Sequence, residues 1–203
     1  MQPVYTEFEA FAADPRSWPA EGAPEIAFAG RSNVGKSSLL NALAGRRGLA
    51  RVSATPGRTR GLVFFRIEPP GGPNLRFVDL PGYGYARTSK RERAAWRPLI
   101  ERYVERRATL CLLLLLIDAR RGAQAEERAL TEWLAALRRP AQVVLTKIDH
   151  IAHTRRAEAL HKVARELVLA RPALAFSARE PGFVEDIWRV LIDAAAAAER
   201  GRD

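Results

Sequence analysis

Residues 26–38 read Ile-Ala-Phe-Ala-Gly-Arg-Ser-Asn-Val-Gly-Lys-Ser-Ser and decide the fold. Two glycines bracket four residues, and Lys36 and Ser37 follow, which is the pattern of a phosphate-binding P-loop. The apolar run before the first glycine predicts a strand, and residues 37–43 predict a helix, so the pattern stands in the context that it requires. The alternative is a glycine turn that merely caps a helix.

The chemistry of this loop predicts how it holds phosphates. Gly30 and Gly35 permit backbone angles and a close approach that a Cβ would block. Backbone N–H groups then form an anion cradle at a helix N-terminus. We expect Lys36 to reach the β- and γ-phosphates and the Ser37 hydroxyl to bind Mg²⁺. The predicted phosphate-binding residues are Gly30, Arg31, Ser32, Asn33, Val34, Gly35, Lys36 and Ser37.

The length of 203 residues suits a single α/β domain with a full core. The longest apolar run, residues 109–117, is about half the length of a membrane span and predicts a buried strand. Cys111 lies inside that run and is interpreted as a small core residue without a disulfide. The N-terminus lacks the pattern of a signal peptide. We therefore expect a cytoplasmic protein, and we expect it to be a monomer.

The net charge of +10 favours a polyanionic partner such as RNA. Arginine is abundant along with alanine, so part of this basicity is also consistent with compositional drift. The predicted helix at residues 89–107 carries many arginines, with glutamates interspersed. Its charged surface is either a solvated face with internal ion pairs or a surface that faces RNA, and the sequence leaves both open.

Strand and helix patterns alternate along the rest of the chain. The connection between the strands at 62–67 and 75–78 is too short for a helix, so these two are predicted to form an antiparallel hairpin. We predict an α/β fold in three layers, with a mostly parallel sheet of about six strands, one of them antiparallel, and helices on both faces. This domain is expected over residues 25–200, with residues 1–24 as an extension packed on it.

The second predicted hairpin strand ends in Asp79-Leu80-Pro81-Gly82. An aspartate at the end of a strand beside a P-loop is expected to anchor Mg²⁺ through water. Gly82 is then expected to present its backbone N–H to the γ-phosphate. By itself this tetrapeptide is also an ordinary turn; its place after the P-loop favours the nucleotide interpretation.

The tetrapeptide Thr146-Lys147-Ile148-Asp149 indicates which base is bound. A carboxylate at Asp149 can accept from both guanine N1–H and the guanine amino group, whereas adenine offers neither donor there. Sites built on such hydrogen bonds discriminate by roughly 10⁴-fold or more. The stem of Lys147 can lie along the base, and the backbone at 177–178 can meet the guanine O6. Alone, the pattern is equally a strand end before a polar helix.

Together these motifs resemble the translation-factor-like (TrmE-Era-EngA-EngB-Septin-like) GTPases and, more narrowly, the EngB (YihA/YsxC) family of bacterial GTPases. The resemblance covers essentially the whole chain and includes Thr55-Pro56-Gly57-Arg58-Thr59 and the Tyr-Gly-Tyr-Ala that follows Gly82. Thr146, where most GTPases have Asn, is itself typical of this family. Arg60 and Ile148 depart from the usual Gln and Ala.

The resemblance implies a Mg²⁺-dependent GTPase switch needed for assembly of the large ribosomal subunit and for normal cell division and septation. It implies that GTP or GDP binds at the motifs, that Thr59 is a second Mg²⁺ ligand, and that Lys36, Thr59 and Gly82 act in catalysis. The further residues expected at the nucleotide are Gly57, Arg58, Thr59, Arg60, Gly61, Asp79, Leu80, Pro81, Gly82, Thr146, Lys147, Ile148, Asp149, Phe176, Ser177 and Ala178.

Two features bear on the rate of hydrolysis. Tyr83 occupies the place where many GTPases have a glutamine that orients water, so a slow intrinsic turnover is expected. Asn33 either holds K⁺ near the β/γ bridge, as in some related GTPases, or only bonds within the loop. The alternatives to a ribosome-assembly switch are a GTPase module of RNA modification and an RNA-binding module that uses nucleotide structurally.

Overall fold

The computed structural model describes residues 3–46, 48–49, 61–82 and 90–201, except for the side chains of 90–96 and 181. The strands are β1 (Tyr5–Ala12), β2 (Glu25–Gly30), β3 (Leu62–Glu68), β4 (Leu75–Asp79), β5 (Leu110–Asp118), β6 (Ala141–Thr146) and β7 (Leu174–Phe176). The helices are α1 (Lys36–Leu43), α2 (Lys90–Arg106), α3 (Ala125–Ala136), α4 (His153–Glu166) and α5 (Val184–Arg200). Short 3-10 turns lie at Pro15–Ser17, Ile148–His150 and Pro181–Phe183.

The strands form one sheet in the order β1-β3-β4-β2-β5-β6-β7. Strand β3 pairs antiparallel with both β1 and β4, and the remaining described pairs are parallel. The mostly parallel sheet with one antiparallel strand is therefore confirmed. Because β2, β4, β5, β6 and β7 run in one direction, their carboxyl ends meet at a single edge, where ligands bind in folds of this type. We call this the carboxyl edge.

Helices cover both faces of the sheet, as predicted. On one face, the apolar side chains of β2, β3 and β5 pack under α1 and α5, with the buried Trp188 ring 5.7 Å from that of Phe77. On the other face, the same strands pack under α2, α3 and α4. Strand β5 is buried along its whole length because both faces are covered, which explains its continuous apolar run.

The sheet has seven strands, where about six were expected for the domain. The additional strand, β1, lies in the N-terminal segment and pairs with β3 at the edge of the sheet. A bulge between Phe8 and Ala10 shifts its register, so Phe8 and Phe11 both pair with β3 residues that face α1 and α5. The bulge breaks the simple alternation that identifies a strand in sequence.

A buried ion network lies at the end of the sheet opposite the carboxyl edge. It joins the N-terminal segment to that end of the sheet. The fully buried Glu25 accepts hydrogen bonds from Arg76 (2.8 Å), Arg107 (2.6 Å) and the Tyr103 hydroxyl (2.8 Å). Burial by itself would raise the pKa of Glu25, but these donors outweigh it and lower the pKa overall. The ionised carboxylate therefore stabilises the fold at neutral pH, and this contribution is lost as the pH falls through the lowered pKa.

In the described part of the chain, no helix has the length and apolarity needed to cross a membrane.

The end of α4 contains a strained position that a substitution can test. Val168 follows the helix with φ +50° and is 87% exposed, while hydrogen bonds to Arg165 and Ala164 close the turn. A glycine normally occupies this left-handed position because it has no Cβ. We expect Val168→Gly to raise the free energy of unfolding by roughly 0.5–1 kcal/mol in urea denaturation, since relief of strain exceeds the entropy that glycine adds to the unfolded chain.

The control for this prediction is Val168→Ala, which keeps a Cβ in the left-handed conformation. We expect it to change the free energy of unfolding by less than Val168→Gly does. A destabilised glycine variant would contradict the assignment of strain at this position.

Candidate functional site

The P-loop lies at the carboxyl edge, between the end of β2 and the start of α1. A Cβ on Gly30 would lie 2.9 Å from Val34 Cγ1 and 3.0 Å from the carbonyl oxygen of Leu116, so the close approach to β5 requires glycine. Gly35 has φ +109° and directly precedes the first residue of α1, a conformation that L side chains rarely adopt. Asn33 is also left-handed, at φ +62°. The backbone therefore turns sharply into the helix.

The turn after β4 lies directly against this loop. The Lys36 ammonium donates hydrogen bonds to the Asp79 carboxylate and to the Leu80 carbonyl oxygen. A Cβ on Gly82 would lie 3.1 Å from Ser32 Oγ, so the two loops are in contact. The structure thus brings the first two predicted motifs together at one place.

Thr146 connects the end of β6 to the P-loop. Its hydroxyl oxygen lies 2.5 Å from the Val34 carbonyl oxygen and 3.2 Å from that of Ile117, and the side chain is fully buried. Its Cβ also lies 3.6 Å from the position that a Cβ on Gly35 would occupy. A buried carbonyl without a donor is costly, so the hydroxyl at Thr146 holds the loop against the sheet.

Lys147 makes a second connection from the same strand end. The backbone of Lys147 is in the left-handed region, with φ +58°. Its Nζ donates to the Asn33 carbonyl oxygen at 2.6 Å and to Asp118 Oδ2 at 2.9 Å. The side chain therefore extends across the P-loop.

Asp118 is a site residue that the sequence motifs did not identify. It ends β5, is 8% exposed, and accepts from Arg120 Nη2 at 2.6 Å as well as from Lys147. Burial alone would raise the pKa of this carboxyl, but hydrogen bonds from Arg120 and Lys147 outweigh it and hold the pKa well below its usual value. The sequence feature that could have identified Asp118 is its position at the carboxyl end of a buried strand, which is also the position of Asp79.

Asp149 and Ser177 meet across the ends of β6 and β7. Ser177 Oγ donates to Asp149 Oδ1 at 2.8 Å, and the backbone N–H of Arg179 donates to the same hydroxyl at 3.0 Å. The hydrogen bond from Ser177 lowers the pKa of Asp149, so the carboxylate is ionised at neutral pH. An ionised carboxylate held in place by a neighbouring hydroxyl can accept two hydrogen bonds from guanine.

Other predicted residues have different surroundings. The side chains of Ile148 and Phe176 are buried in the two cores, and Ala178 is exposed after β7. Arg31 points toward α3, where its guanidinium lies 3.3 Å from Glu126 Oε1. A pocket of about 210 Å³ lies beside it, between the P-loop and the residues after β5; its lining includes Arg31, Asn33, Asp118, Arg120 and Lys147.

Part of the predicted site lies outside the described residues, namely Gly57, Arg58, Thr59 and Arg60, together with Tyr83. Gly61 is described and precedes β3, directly against the backbone of Ala12.

The described residues fit a Mg²⁺ ion that is held mainly by the phosphates of a bound nucleotide and by water. Within the described ranges, no group of three His, Cys, Asp or Glu side chains could hold a metal by itself. Mg²⁺ typically binds one or two protein oxygens, substrate phosphates and water. The carboxylate of Asp79 at the P-loop and the Ser37 hydroxyl in the first turn of α1 are oxygens of this kind.

The Asp118 contacts predict an effect on nucleotide affinity. Asp118→Ala removes a charged hydrogen bond from Lys147, so we expect guanine nucleotide affinity to fall about tenfold, for the loss of about 1.5 kcal/mol. Asp118→Asn keeps a hydrogen-bond acceptor, so its nucleotide affinity should fall less than that of Asp118→Ala. Calorimetric titration with GDP in Mg²⁺ buffer measures both.

Glu126→Ala is the matched control, because Glu126 also bonds a P-loop side chain, Arg31, but is 55% exposed. Exposed ion pairs contribute little, so its affinity for GDP should stay near that of the unsubstituted protein. Equal losses in the Asp118→Ala and Glu126→Ala variants would contradict a specific role for Asp118.

Comparisons with known proteins agree with this geometry. Residues 25–147 match the family model described as "50S ribosome-binding GTPase". A "Probable GTP-binding protein EngB" of Anaeromyxobacter dehalogenans (strain 2CP-C) is 47% identical over 208 residues, covering 100% of this chain and 95% of that protein. Its counterpart in Koribacter versatilis (strain Ellin345) is 44% identical over 194 residues, covering 95% of each.

Solved structures share the fold. The crystal structure of a probable GTP-binding protein EngB matches with a TM-score of 0.69 at 24% identity, covering 85% of this chain and 99% of that one. Era, in complex with MgGDPNP and a segment of 16S ribosomal RNA, matches with a TM-score of 0.70 at 23% identity, covering 85% of this chain and 56% of that one. From the full-length similarity and the family model, this chain belongs to the EngB family of P-loop GTP-binding proteins, which hydrolyse GTP.

Proposed function

We propose that this GTPase is a Mg²⁺-dependent switch in the assembly of the large ribosomal subunit, acting in the cytoplasm as a monomer. Through this role it is needed for normal cell division and septation. The observation that carries the ribosomal part is the match of residues 25–147 to a ribosome-binding GTPase family model. The net charge of +10 supports a partner rich in phosphate.

The P-loop residues 30–37 hold the phosphates of GTP in this proposal. Their backbone N–H groups face the ligand at the start of α1, where the helix dipole favours anions. The ammonium of Lys36 exchanges its contacts with Asp79 and Leu80 for oxygens of the β- and γ-phosphates. The release of Asp79 leaves its carboxylate available to the metal site.

The metal would be held by Ser37, Thr59 and Asp79 together with phosphate oxygens and water. When bound, Mg²⁺ neutralises charge that develops on the phosphates during transfer. In this proposal the backbone N–H of Gly82 senses the γ-phosphate. Residues 57–61, of which 57–60 lie outside the described residues, would close over the γ-phosphate when GTP is bound and would release it after hydrolysis.

Guanine is selected at the ends of β6 and β7. Asp149 accepts from the base N1–H and amino group, Ser177 holds that carboxylate in place at 2.8 Å, and Lys147 covers the base with its stem. The backbone of residues 176–178 completes the base site. Asn33 has a structural role here, because its left-handed backbone presents the carbonyl that Lys147 bonds at 2.6 Å; K⁺ near the β/γ bridge is the alternative.

Hydrolysis without an activator is slow in this proposal, because Tyr83 supplies no amide to orient the attacking water. An assembling ribosomal particle would supply the missing stabilisation. A stimulation of about 10³- to 10⁵-fold corresponds to about 4–7 kcal/mol of transition-state free energy.

Base recognition by Asp149 predicts a change of specificity. An asparagine amide can donate to the 2-oxo group of xanthine, whereas guanine presents an amino group there. We expect Asp149→Asn to lose GDP affinity by roughly 10²-fold or more and to bind xanthosine diphosphate instead, measured by calorimetry. Ser177→Ala removes only the hydroxyl that holds the Asp149 carboxylate in place. It should weaken GDP binding and leave the preference for guanine unchanged. An Asp149→Asn variant that still prefers GDP would exclude this role.

The ribosomal role predicts nucleotide-dependent binding to large ribosomal subunits. We expect the protein to cosediment with them in GTP and to do so less in GDP. The Asp149→Asn variant controls for the nucleotide, because it should cosediment in xanthosine triphosphate and not in GTP. Equal cosedimentation in every nucleotide, with no stimulation of phosphate release by the particles, would favour a module that uses nucleotide only structurally.

A further inference from the structure

The positive charge of the chain is distributed unevenly between the two faces of the sheet. Helix α2 carries six basic and three acidic residues, and helix α4 carries four basic and two acidic residues. Helix α5, on the opposite face, carries two basic and four acidic residues. Helix α3 carries one basic and three acidic residues, so the positive excess on the face that α2, α3 and α4 cover comes from α2 and α4.

Three exposed arginines lie at the C-terminal ends of two helices on that face, α2 and α3. Arg102 and Arg106 are one helical turn apart on α2, so they project from the same side of the helix. Arg139 Nη2 donates to the carbonyl oxygen of Glu105 at 2.8 Å, which holds the end of α3 against the last turn of α2. Arg138 directly precedes Arg139 in the chain. We call Arg102, Arg106 and Arg138 the arginine cluster.

The cluster is not neutralised by neighbouring carboxylates. Within the described residues, none of its three guanidinium groups has an ion-pair partner. Glu101 forms an ion pair with Arg97 instead, with 2.6 Å between Oε1 and Nε. The pKa of Asp14 is lowered mainly by hydrogen bonds from Arg16, and Arg102 contributes only a minor part.

The turn that ends α3 fixes the backbone of Arg138. This residue follows α3 with φ +53°, and hydrogen bonds from its own N–H and that of Arg139 to Ala135 and Leu134 close the helix. Glycine is the residue that this turn favours. The chain has instead an exposed arginine in a conformation that disfavours it.

The chemistry of the cluster fits RNA phosphates better than a protein or a membrane. Guanidinium groups bind phosphate oxygens through paired N–H donors. Exposed apolar side chains are typical of the centres of protein interfaces and of helices that lie in a membrane surface. The large exposed hydrophobic residues of the described chain lie on β1 and its flank or at the end of α4. We propose that the arginine cluster binds the phosphate backbone of RNA, which rests on the proposed ribosomal function.

The location of the cluster predicts independence from nucleotide. Helices α2 and α3 end where β5 and β6 begin, at the opposite edge of the sheet from the P-loop. RNA bound there does not contact the nucleotide, so its affinity for the cluster is the same in GTP and in GDP. The cluster supplies a constant electrostatic attachment, and the nucleotide-dependent contacts lie elsewhere.

The test compares two triple variants with equal loss of charge. The first changes the cluster by Arg102→Gln, Arg106→Gln and Arg138→Gln. The control carries Arg97→Gln, Arg155→Gln and Arg189→Gln, whose side chains are 76%, 75% and 72% exposed and are paired with acids on their own helices. Both should bind GDP like the unsubstituted protein, because all six side chains lie outside the nucleotide site.

The measurement is fluorescence anisotropy of a labelled, mixed-sequence RNA hairpin over a roughly tenfold range of KCl concentration. For the cluster variant we expect the slope of log K against log[KCl] to become shallower by about 2–3, one lost counterion contact per arginine, with the same result in GTP and GDP. The control should keep a slope near that of the unsubstituted protein.

Equal slopes for the two triple variants would overturn the proposal. So would a cluster variant that loses binding to large ribosomal subunits while its RNA slope is unchanged, because that result indicates an acidic protein partner. GTP-dependent cosedimentation that survives equal slopes would leave the proposed function intact and reject only the cluster.

Discussion

The hydroxyl of Thr146 is fully buried between the Val34 and Ile117 carbonyl oxygens, at 2.5 and 3.2 Å, and the rest of the site depends on this contact. It fixes the P-loop to the ends of β5 and β6, where Lys147 adds a second connection through Asn33 and Asp118. Because the buried carbonyl of Val34 has this donor, the loop keeps its sharp turn into α1. The P-loop and the strand end that we propose to bind guanine are therefore directly connected.

This arrangement separates two kinds of recognition on one sheet. The carboxyl edge brings together the P-loop and the side chains that we propose to bind the base. The opposite edge is closed by the buried Glu25 network and, outside it, presents exposed arginines at the ends of α2 and α3. A rigid sheet between them allows a steady attachment to a polyanion at one edge while nucleotide-dependent changes occur at the other.

The fold could largely be predicted from the sequence, because the continuous apolar run of β5 and the short hairpin between β3 and β4 are local patterns. Strand β1 could not be predicted as clearly, since its bulge places Phe8 and Phe11 on the same face. Motif patterns placed Lys36 and Asp79 together, but no local pattern reports the contact between Lys147 and Asn33, which are 114 positions apart. Asp118 was missed although it ends a buried strand, because no motif joins it to Lys147, which is 29 positions away.

Amide hydrogen exchange of the P-loop in the nucleotide-free protein tests the central claim most directly, that Thr146 preorganises the phosphate cradle. The comparison is between the unsubstituted protein and Thr146→Val, which keeps the packing on Gly35 and removes the hydroxyl. The account predicts that the amides of residues 31–35 exchange about tenfold faster or more in the variant, while those of β5 are unchanged, because a lost hydrogen bond of about 1–1.5 kcal/mol opens the loop locally. Equal exchange at residues 31–35 in the two proteins would contradict it.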